Sequence, residues 1–160
     1  MSTLSPLEAR LDADLTAAMR SGDEERRGTL RLLKAALKNA AIEAVGRGGF
    51  KSGDALDEAA VEAVLRKQAK QRRDSIEQFQ RGGREDLAAA EARELAIIET
   101  YLPQALSPEE VEAAVRAQIA AVGASGPQDL GKVMGPLSKA LAGRADGKLL
   151  SDMVRRILAG

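Results

Sequence analysis

A chain of 160 residues with 24 basic and 24 acidic side chains has no formal net charge, which argues against indiscriminate binding to nucleic acid. It carries neither cysteine nor histidine, and this removes disulfides, thiolate nucleophiles, imidazole bases, serine triads and the usual zinc sites together. The 44% hydrophobic content is rich in Ala and Leu, and the only rings are Phe50, Phe79 and Tyr101, a balance that suits closely packed helices rather than sheets.

Helix starts are well marked along the first hundred residues. Ser5-Pro6-Leu7-Glu8 reads as a capping box with Pro at the first helical position. Leu4, Leu7, Leu11, Leu15 and Met19 then recur at helical spacing until Ser21-Gly22. Asp23 caps a second helix on the stripe Leu30, Leu33, Leu37, Ala41 and Ala44, which ends in GRGGFKSG. Asp57 caps a long third helix, with Val61, Val64, Leu65, Ile76 and Phe79 facing inward, stopped by Gly82-Gly83. A fourth runs from about Glu85 to Tyr101 on Leu87, Leu95, Ile98 and Leu102. So short a turn makes the third and fourth helices an antiparallel hairpin.

Charged residues interrupt both stripes of that hairpin. Gln68 and Arg72 fall in line with Leu65, Ile76 and Phe79, and Glu91 falls between Leu87 and Leu95. Arg72 is therefore expected to pair with Glu91, or with Glu94 one turn away, setting register more than adding stability. Arg66, Lys70 and Arg73 lie on another face and read as solvated.

In YLPQALSPEE, Pro103 ends the pattern and Ser107-Pro108-Glu109-Glu110 repeats the earlier start signal. The expected fold is all-α, with a longer N-terminal domain of about four helices over residues 1–102 and a three-helix tail over 103–160. The tail helices are placed at about 108–122 (Val111, Val115, Ile119, Val122), 127–142 and 147–158. Ser125-Gly126-Pro127-Gln128 offers a further cap, with Gln at the third helical position. Pro136 removes a backbone donor and should kink or split the helix that contains it.

LAGRADGKLLSDMV, from Leu141 to Val154, resembles a phosphate loop but fails on spacing. Gly143 and Gly147 enclose three residues where a Walker motif needs four, and Leu149 follows Lys148 where that motif needs Ser or Thr. Gly143 fits a helix C-cap and Asp146 an N-cap, so the segment is first a joint between helices. Its charge is a second matter. Residues 127–160 carry Lys132, Lys139, Arg144, Lys148, Arg155 and Arg156 against Asp129, Asp146 and Asp152. Lys132 and Lys139, seven apart, share a face, and Lys148 sits in a first turn whose free N–H groups favour an anion. Gly131 and Gly135 leave bare backbone beside the lysines. The plain alternatives are a Lys148–Asp152 pair, arginines offsetting a helix dipole, and glycines admitting a neighbouring helix. Acidic clusters at Asp23-Glu24-Glu25 and Glu109-Glu110 coincide with helix starts, so no catalytic pair, metal site or cofactor is assigned. Three rings are also few for stacking on single strands.

KQRRDSIEQF, GREDL, YLPQALSPEE and GKVMG…GRADGKL together resemble the YqeY family over essentially the whole chain. Its members are similar to the C-terminal helical and tail region (the GatB/YqeY domain) of the GatB component of the glutamine-dependent aspartyl/glutamyl-tRNA amidotransferase. The resemblance implies a longer helical domain followed by a three-helix tail that contacts tRNA, with transamidation in an earlier domain and ammonia release in another subunit. Carried over residue by residue, it implies Lys132, Gly135, Lys139, Arg144 and Lys148 as contacts to tRNA or structured RNA, read by phosphate and shape. Pro136 departs from the tail's motif helix. The expected function is a non-catalytic module linked to tRNA-dependent amidotransfer or translation. Alternatives are a protein-interaction adaptor without RNA binding, and the family's label of carbon–nitrogen ligase activity with glutamine as amido donor. The N-terminus MSTLSPLEARLDADL shows no signal pattern and no uncharged stretch is long enough to span a bilayer, so a cytoplasmic protein without membrane contact is expected.

Overall fold

The computed structural model describes residues 3–160, and among them every regular element is helical. Met1 and Ser2, part of the N-terminal stretch read above, lie outside the described residues. The chain packs as two compact units, one ending at Leu102 and one spanning Pro103–Gly160.

The first unit holds α1 (Pro6–Ser21), α2 (Glu24–Gly46), α3 (Glu58–Arg81) and α4 (Glu85–Glu99). Three of them start on the side-chain caps that the sequence offers. Ser5 Oγ accepts from the Glu8 N–H at 3.2 Å, Asp23 from Arg26 at 3.0 Å and Asp57 from Ala60 at 2.7 Å. At α1 only half of the expected capping box forms, because the Glu8 carboxylate turns to Lys34, 3.6 Å away. Glu58, at the start of α3, reaches across to accept from the Leu7 N–H at 3.1 Å, a cap delivered from fifty-one residues on.

The core of this unit gathers Leu7 and Leu11 from α1, Leu30, Leu33 and Leu37 from α2, Val61, Leu65 and Ala69 from α3, and Ile98, together with Leu56 and Tyr101. The stripe on α1 is narrower than its spacing suggests: Leu4 precedes the N-cap and Met19 lies in the last turn, and both stay outside, 40% and 52% exposed. At the α3–α4 turn Gly83 adopts φ 71°, the left-handed conformation that glycine tolerates, and the Arg84 N–H closes on the Phe79 carbonyl at 2.8 Å. Lys70 and Arg73, expected to be merely solvated, pair with Asp74 and Glu99, each at 3.1 Å.

Just beyond α4, Tyr101 buries its ring and donates its hydroxyl to Asp14 at 2.5 Å. Arg26 Nη2 approaches the same two groups, 3.3 Å from the hydroxyl and 3.5 Å from the carboxylate. The Arg10 guanidinium lies over the ring at 4.6 Å from its centroid. Burial, reinforced by the hydrogen bond to Asp14, pushes the Tyr101 phenol up to about 12.

The second unit holds α5 (Pro108–Val122), a 3-10 turn at Pro127–Asp129, α6 (Leu130–Ala140) and α7 (Gly147–Leu158). Val111 and Val115 of α5 pack with Val133 and Leu137 of α6 and with Leu150, Met153, Val154 and Leu158 of α7. Ser107 and Glu110 form the full reciprocal box at α5, at 3.1 and 2.8 Å. Ser125 does not cap; its N–H donates to Asp129 at 2.9 Å, and the expected helix at 127–142 is a 3-10 turn followed by α6. Nor does Pro136 split α6, which runs on through it. Gly135 before it has no Cβ to meet the proline ring.

Candidate nucleic-acid interface

By burying Val133 and Leu137, α6 turns Gly131, Lys132, Gly135 and Lys139 to its outer side, and all four are exposed. A Cβ built on Gly131 or Gly135 would meet nothing within 4 Å beyond its neighbours in sequence. These glycines therefore admit no neighbouring helix of this chain, and the strip of backbone they bare is open. Lys132 Nζ stands 3.6 Å from Asp129, yet its side chain is 70% exposed. Asp129 is held below the usual carboxylate range, first by the Ser125 backbone N–H and then by the Lys132 charge. Lys139 makes no ion pair among the described residues. The structure thus brings Lys132, Gly135 and Lys139 onto one face of one helix.

Arg144 and Lys148 belong to the joint that follows. Gly143 takes φ 76°, and the Arg144 N–H closes on the Leu141 carbonyl at 2.9 Å. Asp146 caps α7 by accepting from the Lys148 N–H at 2.9 Å. That corrects one expectation: an amide counted as free for an incoming anion already serves a carboxylate. The Lys148 side chain itself is exposed and forms no pair with Asp152 among the described residues.

Arg144 is the least free of the five. It is half-buried, its Nε donates to the Gln104 carbonyl at 3.3 Å, and its own carbonyl accepts from the Leu106 N–H at 2.8 Å. Its work is to hold the segment before α5 on the bundle. The open cations are Lys132 and Lys139 on the α6 face and Lys148 across the joint. Sequence reasoning also passed over Asp129 as the partner of Lys132; their three-residue spacing was the available signal. Among the described residues no three carboxylates gather as a metal ion requires, and no helix is long and apolar enough to cross a membrane.

A family model described as Yqey-like protein matches residues 8–158. Several curated proteins that resemble the chain are named altered inheritance of mitochondria protein 41, mitochondrial. That of Kluyveromyces lactis is 39% identical over 110 residues, 67% of this chain and 55% of its own length. That of Lachancea thermotolerans is 38% identical over 104 residues, 65% of this chain and 52% of its own length. The Pyrenophora tritici-repentis protein is 28% identical over 152 residues, 93% of this chain and 79% of its own length. The chain spans about half the length of the first two. These mitochondrial names overturn the cytoplasmic expectation. The properties behind it, an N-terminal stretch without a secretory pattern and no stretch long enough to span a bilayer, do not tell the two compartments apart.

Proposed function

Since the chain belongs to the YqeY-like family, we propose that it is a non-catalytic helical module whose second unit binds tRNA or another structured RNA by phosphate and shape. The observation that carries this reading is the pair of exposed glycines on α6. A glycine inside a helix costs about 1 kcal/mol relative to alanine. Gly135 spares the ring of Pro136 a Cβ, but nothing of this chain packs on either glycine, and nothing recovers the cost at Gly131. A surface from outside that needs the backbone's closeness accounts for both. The lysines beside them, Lys132 and Lys139, and Lys148 across the joint, suit a phosphate chain. Such contact fixes position on an RNA without reading bases, in keeping with the shortage of exposed rings.

A link to tRNA-dependent amidotransfer remains part of this proposal, with the chemistry supplied by other proteins. The mitochondrial setting is likewise carried over from the names of the relatives.

Binding of purified tRNA, measured across a salt series, tests the reading. Affinity should fall linearly on logarithmic axes, and changing Lys132, Lys139 and Lys148 together to Ala should make the slope shallower by about 2–3. Equal affinity and slope in the triple variant, with its helical spectrum intact, would dismiss this surface. Glutamine-dependent amide formation by the purified chain, free of amidotransferase, would overturn the non-catalytic part.

A further inference from the structure

The first unit carries a hollow of about 580 Å³ between the start of α1, the middle of α2 and residues 52–56. Its floor is core: Leu37 and Leu56 are buried, 2% and 6% exposed. Its rim is of another kind. Leu4, Ile42 and Val45 line it yet remain 40%, 60% and 38% exposed. Single exposed apolar side chains are ordinary, but three large ones around one concavity make a contact surface.

Beside the hollow, the charge along α2 is of one sign, while the carboxylates of the other walls already hold partners. Glu8 is engaged by Lys34 at 3.6 Å, and the same ammonium is paired with Asp12. Asp54 accepts from the Lys51 N–H at 2.8 Å. Lys38, on the rim, has no ion pair among the described residues, and neither has Arg31, one heptad earlier on α2. Both side chains are exposed, and α2 carries no carboxylate between Arg26 and Ile42.

These residues share an axis. Arg31, Ala35, Lys38, Ile42 and Val45 succeed one another at alternating steps of four and three, which places them on a single face of α2. The two cations lie about 10 Å apart along it, and the apolar positions interleave with them.

We propose that this face docks an amphipathic, acidic helix of a partner protein. Its apolar stripe enters the hollow against Leu4, Ile42 and Val45, while carboxylates one heptad apart meet Arg31 and Lys38. A single-headed amphiphile would use one cation and leave the other idle. A second helix laid along α2 repeats at the same interval and meets both. The surface lies wholly in the first unit and does not depend on RNA binding by the second.

A fluorescent synthetic helix provides the probe, with leucines at alternating three- and four-residue steps and glutamates seven apart. It is titrated against the full chain and followed by anisotropy, beside one twin with lysine for glutamate and another with serine for leucine. The acidic peptide should bind at least tenfold more tightly than either twin. Ile42→Asp alone, or Arg31→Glu with Lys38→Glu, should each weaken it at least tenfold with helical content unchanged, because all three side chains are exposed. The Lys132, Lys139 and Lys148 variant should bind it as the parent does. Absence of binding, equal binding of the lysine twin, or indifference to Ile42→Asp overturns the proposal. So does displacement of the peptide by dodecanoate at lower concentration than by unlabelled peptide, which assigns the hollow to an amphiphile. Self-association that Ile42→Asp abolishes likewise overturns it, assigning the face to a second copy.

Discussion

Arg72 of α3 donates its Nε–H to Glu94 of α4 at 2.8 Å while Glu91, on the same helix, waits 3.4 Å away. One guanidinium, its side chain 15% exposed, serves two carboxylates, and Glu91 Oε2 is buried without a hydrogen-bond partner. The pairing expected from the interrupted stripes is present, with both candidates engaged. Arg72→Met leaves two carboxylates side by side. It should destabilise the chain to urea by about 1–3 kcal/mol, less than for a fully buried pair because both partners keep some solvent. Adding Glu91→Gln and Glu94→Gln should recover most of the loss. A triple variant no more stable than the single one would show that the arginine contributes packing alone.

Tyr101 allows an unusually clean titration, since the chain has one tyrosine and no tryptophan. In the unfolded chain its phenol should ionise near ~10. In the folded chain burial and Asp14 push it up to about 12. The stability it contributes is complete below pH ~10 and is lost as pH rises through the folded value, because the unfolded chain releases the proton first. Phenolate absorbance should therefore rise near pH 12 in buffer and near 10 in urea, and Asp14→Asn should bring the folded midpoint down. Coincident midpoints in buffer and urea would refute this.

Thr29 lies in the core of the first unit, 2% exposed, with no hydrogen-bond partner for its hydroxyl. A hydroxyl left so carries a desolvation penalty of about 1–3 kcal/mol. Thr29→Val keeps the shape and removes the polar atom, so the urea midpoint should rise by the equivalent of about 1 kcal/mol. A fall would reveal a partner for the hydroxyl in solution.

Gly131 separates stability from function. It has no positive φ and faces open space, so alanine fits it without displacement, whereas a Cβ at Gly135 would meet the ring of Pro136. Gly131→Ala should raise stability by up to about 1 kcal/mol. The same change should weaken tRNA binding, because the added methyl group holds the phosphate chain off the backbone. Stabilisation with undiminished tRNA binding would mean that Gly131 serves no ligand on this face.

Most helix boundaries were legible because capping is local: Asp23, Asp57 and Ser107 need only a neighbour three residues on to satisfy their roles. Where the sequence misled, a distant partner or the order of two bonds decided. Glu8 is drawn to Lys34, twenty-six residues away, and abandons its box. Ser125 does not cap, because Asp129, four residues on, accepts from its backbone N–H. Pro136 leaves α6 unbroken, and its predecessor is a glycine whose missing Cβ is visible in sequence but was credited to a ligand or a neighbouring helix. The candidate interface was legible in its lysines, whose outward direction follows from helical spacing. Arg144 was not, because its attachment to Gln104 crosses forty residues that no periodicity connects.

That attachment governs where the chain can be divided. The stretch of residues leading into α5 is fastened to the far joint through both the Arg144 side chain and its carbonyl, which grip Gln104 and Leu106. A fragment started at the obvious helix cap, Ser107, would strip those anchors away and loosen the very loop that leads into α7 and Lys148. Started at Pro103, four residues sooner, it keeps the clasp shut.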